Sequence, residues 1–394
     1  MSRDETTLGE LISLQRGYDL PESFRRSGNV PVVGSAGITG YHDIAKANGP
    51  GVTIGRSGAS FGKVTFVRED YWPHNASLFV TDFKGNEPLF IRYLLENLDF
   101  SSLNSGSAQQ SLNRNYVYAV PVRRFDLPTQ RRIASILSTY DDLIENNQRR
   151  IKILEKMARS LYREWFVHFR FPDHDKVKMV PSPLGPIPQG WKVVRVNDVC
   201  ELVTDGSHSS PKSIEQGLPM ASSKDMHEWG INLGACRHIS KQDFDQLVSN
   251  GCKPRKNDVL ITKDGANYLK HIFVVREEEE LVLLSSIAIL RPNERINPHL
   301  LSAIMAAPEN KDRLKNYVTG AAIPRIILSD FKQFAIALPS EDVQAAWAKI
   351  GEPITQLCWR LVEQIKTLRR TRDLLLPRLL SGQVSLADYS HATS

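Results

Sequence analysis

An internal repeat constrains this chain more than any other feature of its sequence. Placing VTIGRSGASFGKVTFV, from Val52, over VLITKDGANYLKHIFV, from Val259, sets Ile54 on Ile261, Gly58 on Gly265, Ala59 on Ala266, Lys63 on Lys270 and Phe66 on Phe273, all at an offset of 207 residues. Further on, Gly106 of GSAQ falls on Gly320 of GAAI, and Gln130 of LPTQ falls on Gln344 of LPSEDVQ at an offset of 214, a drift that marks loop insertion. Order and spacing agree across most of each half, so the chain reads as two copies of one plan. In each copy short β-type runs bounded by turn residues (VTIGRSG and KVTFV; DVLITKDG and HIFVV) precede one long helical stretch.

The first helical stretch, from Pro128, has Ile136, Tyr140, Leu143, Asn147, Ile151, Leu154, Ala158, Leu161 and Trp165 in steps of three and four. About forty helical residues would span roughly 60 Å, too long for one compact domain to cover. The second stretch has Trp347, Ile350, Ile354, Leu357, Leu361, Ile365, Leu368 and Leu375 in a matching seam that ends before LPRLLSGQVSL. Pro353 interrupts it, which predicts a short helix to about Gly351 and the long helix from there, with Pro353 in its first turn. Such stripes are ordinarily core. Two of equal length in one chain, neither stable alone in water, offer each other a partner. The predicted fold class is α+β: two globular α/β domains joined by two long antiparallel helices in an intramolecular coiled coil, with a pseudo-twofold repeat and a dumbbell shape. The predicted boundaries are 1–127 for the first lobe, 128–169 for the central helix, 170–190 for a Pro-rich linker, 191–339 for the second lobe, 340–380 for the C-terminal helix and 381–394 for a tail.

Composition excludes several classes. Hydrophobic residues at 41% and charged residues at 24% are ordinary globular values, which argues against a disordered or disulfide-scaffold chain. The net charge of +6 permits a polyanionic partner without requiring one. Cys200, Cys236, Cys252 and Cys358 lie far apart with no C-x-x-C pair, and are read as buried thiols of a reducing compartment. The N-terminal MSRDETTLGELISL lacks a basic segment followed by an apolar one. The longest apolar run, LVLLSSIAIL, is half a membrane span and contains two serines. The expectation is a cytoplasmic protein with no membrane partner.

The catalytic inventory is nearly empty. SGASFGKV lacks the first Gly and the hydroxyl residue of a P-loop, GSAGITG is not a dinucleotide fingerprint, and the Asn-Pro-Pro motif of adenine methyltransferases is absent. PDHDK at Pro172 has the carboxylates and lysine of a metal-dependent nuclease but sits in the expected linker, and no paired-histidine motif or G-x-S-x-G elbow is present. No catalytic or metal residue is assigned, and no cofactor is expected on this chain. The loops are suited to nucleic acid. Ser35, Tyr41, Arg56, Ser57, Lys63, Gln109, Gln110, Asn113 and Arg114 lie in the first lobe. Ser207, His208, Lys224, Lys263, Asp264, Asn267, Tyr268, Lys270 and Arg325 lie in the second. Arg and Lys match guanine edges and phosphates, Asn and Gln match adenine edges, and small residues let the backbone approach, although solvated turns have the same composition.

The Gly-rich lobe, the Q-R-R-I-A-x-I-L…D-D-L-I-E-x-N run from Gln130, S-L-Y-R-E-W-F from Ser160, GSAQQSLN, TDGSHSSPK and GLPMASSKDM together resemble the specificity subunit of type I restriction-modification systems over nearly the whole chain. SEDVQAAWAKIGEPITQLCW departs from the usual Q-R-x-I run of the second helix. The resemblance implies a non-catalytic subunit whose lobes are target recognition domains, each reading one half of a bipartite, asymmetric site on double-stranded DNA, with the helix pair fixing the spacer. It also implies two methyltransferase subunits as partners, and restriction and motor subunits in the full complex. S-adenosylmethionine, ATP and Mg²⁺ would be bound by those partners. Two other readings stay open from the residues alone: a stand-alone DNA-processing enzyme, and a non-catalytic coiled-coil scaffold.

Overall fold

The computed structural model describes residues 5–106, 110–320 and 323–384. The chain divides into two compact units. Unit 1 contains residues 1–146 and 364–394, and unit 2 contains residues 147–363, so both boundaries fall inside the long helices.

Unit 1 is built from β1 (Glu5–Thr7), α1 (Leu8–Leu11), β2 (Ser13–Arg16), β3 (Val30–Gly34), β4 (Gly37–His42), β5 (Gly51–Gly55), β6 (Val64–Val67), β7 (Trp72–Pro73), β8 (Ser77–Asp82), α2 (Pro88–Glu96), α3 (Arg114–Tyr118), β9 (Pro121–Arg123) and α4 (Leu127–Tyr162). A four-stranded antiparallel sheet runs β2-β8-β5-β6, a smaller sheet runs β4-β3-β7, and β1 pairs with β9. β5 is buried along its whole length, as expected of a central strand covered on both faces.

Unit 2 follows α4 with β10 (Met179–Val180), β11 (Ile187–Pro188), β12 (Lys192–Arg195), β13 (Cys200–Asp205), β14 (Leu218–Ala221), β15 (Met226–His227), β16 (Gly230–Ile231), β17 (Arg237–Ile239), α5 (Lys241–Ser249), β18 (Val259–Thr262), β19 (Ile272–Val274), β20 (Val282–Leu283), β21 (Ile287–Pro292), α6 (Pro298–Ala306), α7 (Pro308–Lys315), α8 (Leu328–Gln333), β22 (Ala335–Leu338) and α9 (Glu341–Ser381). Its large sheet runs β13-β21-β18-β19, its small sheet β17-β14-β20, and β12 pairs with β22. The two units therefore share the order of the large sheet, the small sheet and the terminal pair, including the parallel pair in the small sheet, β3 with β7 and β14 with β20, while the β10–β11 and β15–β16 pairs are found in unit 2. The repeat extends to backbone conformation. After β5 and β18 the chain turns through Gly58 (φ 72°) and Gly265 (φ 76°), both left-handed, and a second left-handed turn falls at Gly62 and at Leu269.

Within unit 1 the first turns of α4 and the last turns of α9 share one core, where Ile133 and Leu137 sit with Leu379 and Leu380. Two turns further along α4, Asp141 receives Arg372 of α9 at 2.5 Å, so the segments run antiparallel. Tyr93 Oη of α2 donates to the same carboxylate at 2.7 Å, Arg92 reaches it at 2.8 Å, and Glu96 accepts from Arg92 at 2.9 Å. Within unit 2 the segments are again antiparallel. Phe166, on a π-helical turn (Arg163–Val167) that follows α4, faces Trp347 with ring centroids 6.2 Å apart, while Glu155 lies near Cys358.

Four expectations need correction. Leu143 is 45% exposed and Ile144 is buried, so the α4 seam sits one residue further on at that turn. On α9, Ile350 is exposed and Cys358 rather than Leu357 is the fully buried residue. α9 is one helix through Pro353 and Pro377. Packing outweighs the lost N–H groups, because the Trp347 ring lies over Gly351 where a side chain would clash, and Leu379 and Leu380 are held in the unit 1 core. The helix stops at Gly382 (φ 72°), with the Gln383 N–H donating to Arg378 O at 3.0 Å. The Pro-rich segment 170–190 is not a bare linker. Phe171 and Ile187 are buried, β10 pairs with β11, and Phe171 and Phe166 gather around Trp191 at 5.6 and 5.8 Å. Residues 385–394 of the expected tail lie outside the described residues.

Candidate nucleic-acid interface

In unit 1 three loops converge beyond the ends of β3, β5 and β6. Gly55 leaves no room for a Cβ, which would overlap both Ser60 O and Ser35 O, so the β3–β4 turn lies directly on the loop after β5. Lys63 Nζ ties the same two loops by donating to Ala36 O at 2.7 Å while its side chain stays exposed. The third loop is fastened by Leu112 N to Arg56 O (2.9 Å) and by a bridge between Ser57 and Ser111. The structure thus brings together Ser35, Arg56, Ser57 and Lys63, with Gln110 next to the bridging Ser111. Asn113 caps α3 through its Oδ1, which accepts from Asn115 N at 3.0 Å, and Arg114 reaches Leu14 O at 3.5 Å. Tyr41 stands apart on β4, 55% exposed. Gln109 lies outside the described residues.

Unit 2 gathers the corresponding loops. Ser207 N donates to Leu283 O (2.7 Å), Lys263 N to Ser286 O (3.0 Å), Ser223 N to Ser286 Oγ (3.0 Å) and Gly265 N to Pro324 O (2.8 Å). His208, Lys224, Asn267, Tyr268 and Arg325 are carried on this cluster, with His208, Lys224 and Arg325 exposed. Lys270 is exposed on the turn before β19.

Two expected surface residues are interior. Ser207 is buried and its hydroxyl is used by Ser209. Lys263 is 5% exposed, and its ammonium is enclosed by Asp205 at 3.3 Å and Asp264 at 3.3 Å. The desolvation of a buried lysine is met here by two carboxylates, which makes Lys263 a structural cation rather than a free phosphate ligand. Asp205, missed in the sequence, is the organiser: it holds Lys263 and also His208 Nε2 at 3.2 Å. The only signal for it is its place before Gly206, where any side chain would collide with the Leu283 carbonyl. The four cysteines are free and buried as expected, and burial pushes the Cys200 and Cys358 thiols up to about 12.

Paired loop clusters rich in small polar and basic residues are set on duplicated sheets, with long helices between them in sequence, an arrangement suited to contacting nucleic acid. Residues 4–156 and 188–368 match the type I restriction modification DNA specificity domain, and the chain belongs to that family. The type I restriction enzyme MjaIX specificity subunit of Methanocaldococcus jannaschii is 24% identical over 310 residues, covering 76% of this chain and 69% of the relative. The HindI specificity subunit of Haemophilus influenzae is 23% identical over 314 residues, covering 66% and 68%. In fold, the chain is similar to the crystal structure of the type I restriction-modification S subunit of M. genitalium, with a TM-score of 0.63 at 15% identity over 96% of this chain and 97% of that one. No helix among the described residues is long and apolar enough to cross a membrane.

Proposed function

We propose that each unit reads one half of a bipartite, asymmetric sequence in double-stranded DNA, that the α4/α9 pair sets the number of base pairs between the half-sites, and that two methyltransferase subunits, joined by restriction and motor subunits, carry out adenine methylation or ATP-dependent cleavage at the site so chosen. S-adenosylmethionine, ATP and Mg²⁺ belong to those partners in this reading. The observation that carries it is the duplication: one sheet topology appears twice with different loop residues, which suits two half-sites of different sequence. Ser35, Tyr41, Arg56, Ser57, Lys63, Gln110, Asn113 and Arg114 are the proposed contacts of unit 1, and His208, Lys224, Asn267, Tyr268, Lys270 and Arg325 those of unit 2.

The test is co-expression with the cognate methyltransferase subunit and mapping of methyladenine across the host genome. A single gapped motif that disappears on deletion of this chain is the expected result; methylation indifferent to the deletion would overturn the reading. Exchange of residues 1–127 for those of another family member is expected to change one half-site only. Insertion of seven residues near both Asn147 and Leu361 is expected to lengthen the spacer.

A further inference from the structure

The two units differ in side-chain size where each lobe meets the long helices. In unit 1 this junction holds a network of Arg92, Tyr93 and Glu96 of α2 with Asp141 of α4 and Arg372 of α9. α6 corresponds to α2, each opening on a proline, Pro88 and Pro298. At the positions of Arg92, Tyr93 and Glu96 it has Ser302, Ala303 and Ala306. At the offset of 214 on the long helices, Asp141 is replaced by Thr355 and Arg372 by Ala158. All five small residues line one cavity of about 310 Å³ in unit 2, at the lower end of the size of small-molecule sites.

The wall is mainly apolar, with Ile272, Val274, Ala307 and Ile354 besides the alanines. Besides the ring Nδ1 atoms of His271 and His299, which have no hydrogen bond and whose pKa burial lowers, two donors on it lack partners. Trp347, 3% exposed, has an indole N–H with no hydrogen bond. Lys311, half-buried on α7, has no acidic partner among the described residues, and burial with Lys315 nearby holds its ammonium below the ordinary lysine range. The lining acids are Glu155, already engaged by Trp229 Nε1 at 3.0 Å and Arg159 at 3.9 Å, and Glu228, against the cations Arg159, Arg163, Lys270 and Lys311. A neutral apolar ligand would leave both donors unsatisfied, and a cation would meet a like charge.

We propose that this cavity binds an amphipathic monoanion, an aromatic or branched aliphatic carboxylate whose apolar body rests on Ala303, Ala306 and Ile354 and whose carboxylate accepts from Lys311 and Trp347. The cavity shares Lys270 with the proposed DNA contacts of unit 2, but its other lining residues lie outside them, and small-molecule binding is measured with neither DNA nor partner subunits present. The probes are 4-phenylbutyrate and its neutral counterpart 4-phenyl-1-butanol, titrated calorimetrically into the full chain. The acid is expected to bind at least tenfold more tightly than the alcohol. Lys311→Gln is expected to remove that preference, and Ala303→Tyr, which restores the unit 1 side chain, to abolish binding of both. Equal affinity of acid and alcohol for the unaltered chain, or acid binding that survives Ala303→Tyr, would overturn the proposal. If Ala303→Tyr does not fold by circular dichroism, Ala306→Leu fills the same cavity and is read in the same way.

Discussion

Lys263 shows why a residue type legible in a sequence can mislead about its role. Its place in a Gly-rich polar loop matches a phosphate ligand; what decides its role is Asp205, fifty-eight positions away and brought to 3.3 Å only by the pairing of β13 and β18 with β21. Lys263→Met is expected to cost about 3–5 kcal/mol by leaving buried carboxylates unpaired, and Asp205→Asn in the same chain is expected to recover part of it, as read from thermal or urea midpoints. The junction of unit 1 makes a pH prediction. Burial raises the Asp141 carboxyl, but hydrogen bonds from Tyr93 and Arg372 and the charge of Arg92 outweigh it and hold the group below its ordinary range. A depressed folded-state pKa means that Asp141 stabilises the fold above about pH 4 and that this contribution is lost as pH falls through the depressed value. Glu96 has the opposite sign, because burial raises it more than Arg92 lowers it. Asp141→Asn should therefore flatten the acid limb of the stability profile of unit 1 and cost about 2–3 kcal/mol at neutral pH. An acid limb identical to that of the unaltered chain would show that other carboxylates govern it.

At the scale of elements, the strands around Val52 and Val259 and both long helices are legible in the sequence, because period-two runs between glycines and a three-four seam are local signals. The inward face of each helix is not. Leu143 and Ile144 are adjacent apolar residues, and which one turns inward depends on a partner helix more than two hundred residues away. Local rules make Pro353 a helix start, whereas α9 carries it internally through the packing of Trp347 on Gly351. Its missing N–H removes one bond from the helix ladder, so Pro353→Ala is expected to stabilise unit 2 by up to about 3 kcal/mol, read as a raised unfolding midpoint. An unchanged midpoint would mean that this turn is relaxed already. The Pro-rich segment misleads for a related reason: composition marks it as a connector, while Phe171 and Trp191, which anchor it, find their neighbours only in three dimensions.

For the molecule as a whole, the repeat is the most legible feature, and the structure extends it from residue matches to the same strand order in the large and small sheets of both units. What the repeat conceals is the departure of one copy from the other, since Ser302, Ala303 and Ala306 are inconspicuous until set against Arg92, Tyr93 and Glu96. If the exposed basic loops neutralise phosphates, Arg56→Ala or Lys63→Ala should weaken duplex binding across sequences, and the slope of log affinity against log salt should become shallower by about one for each such side chain removed. Loss of affinity at one sequence alone would instead place that residue on a base edge. The division of the chain also bears on the order in which the protein is made. Unit 2 is a single uninterrupted stretch, whereas unit 1 needs the end of α9 beyond residue 363, including Leu379 and Leu380 of its core. Unit 1 begins synthesis first and is completed last, so a released chain truncated after residue 363 is expected to carry a complete unit 2 beside an unfinished, protease-sensitive unit 1.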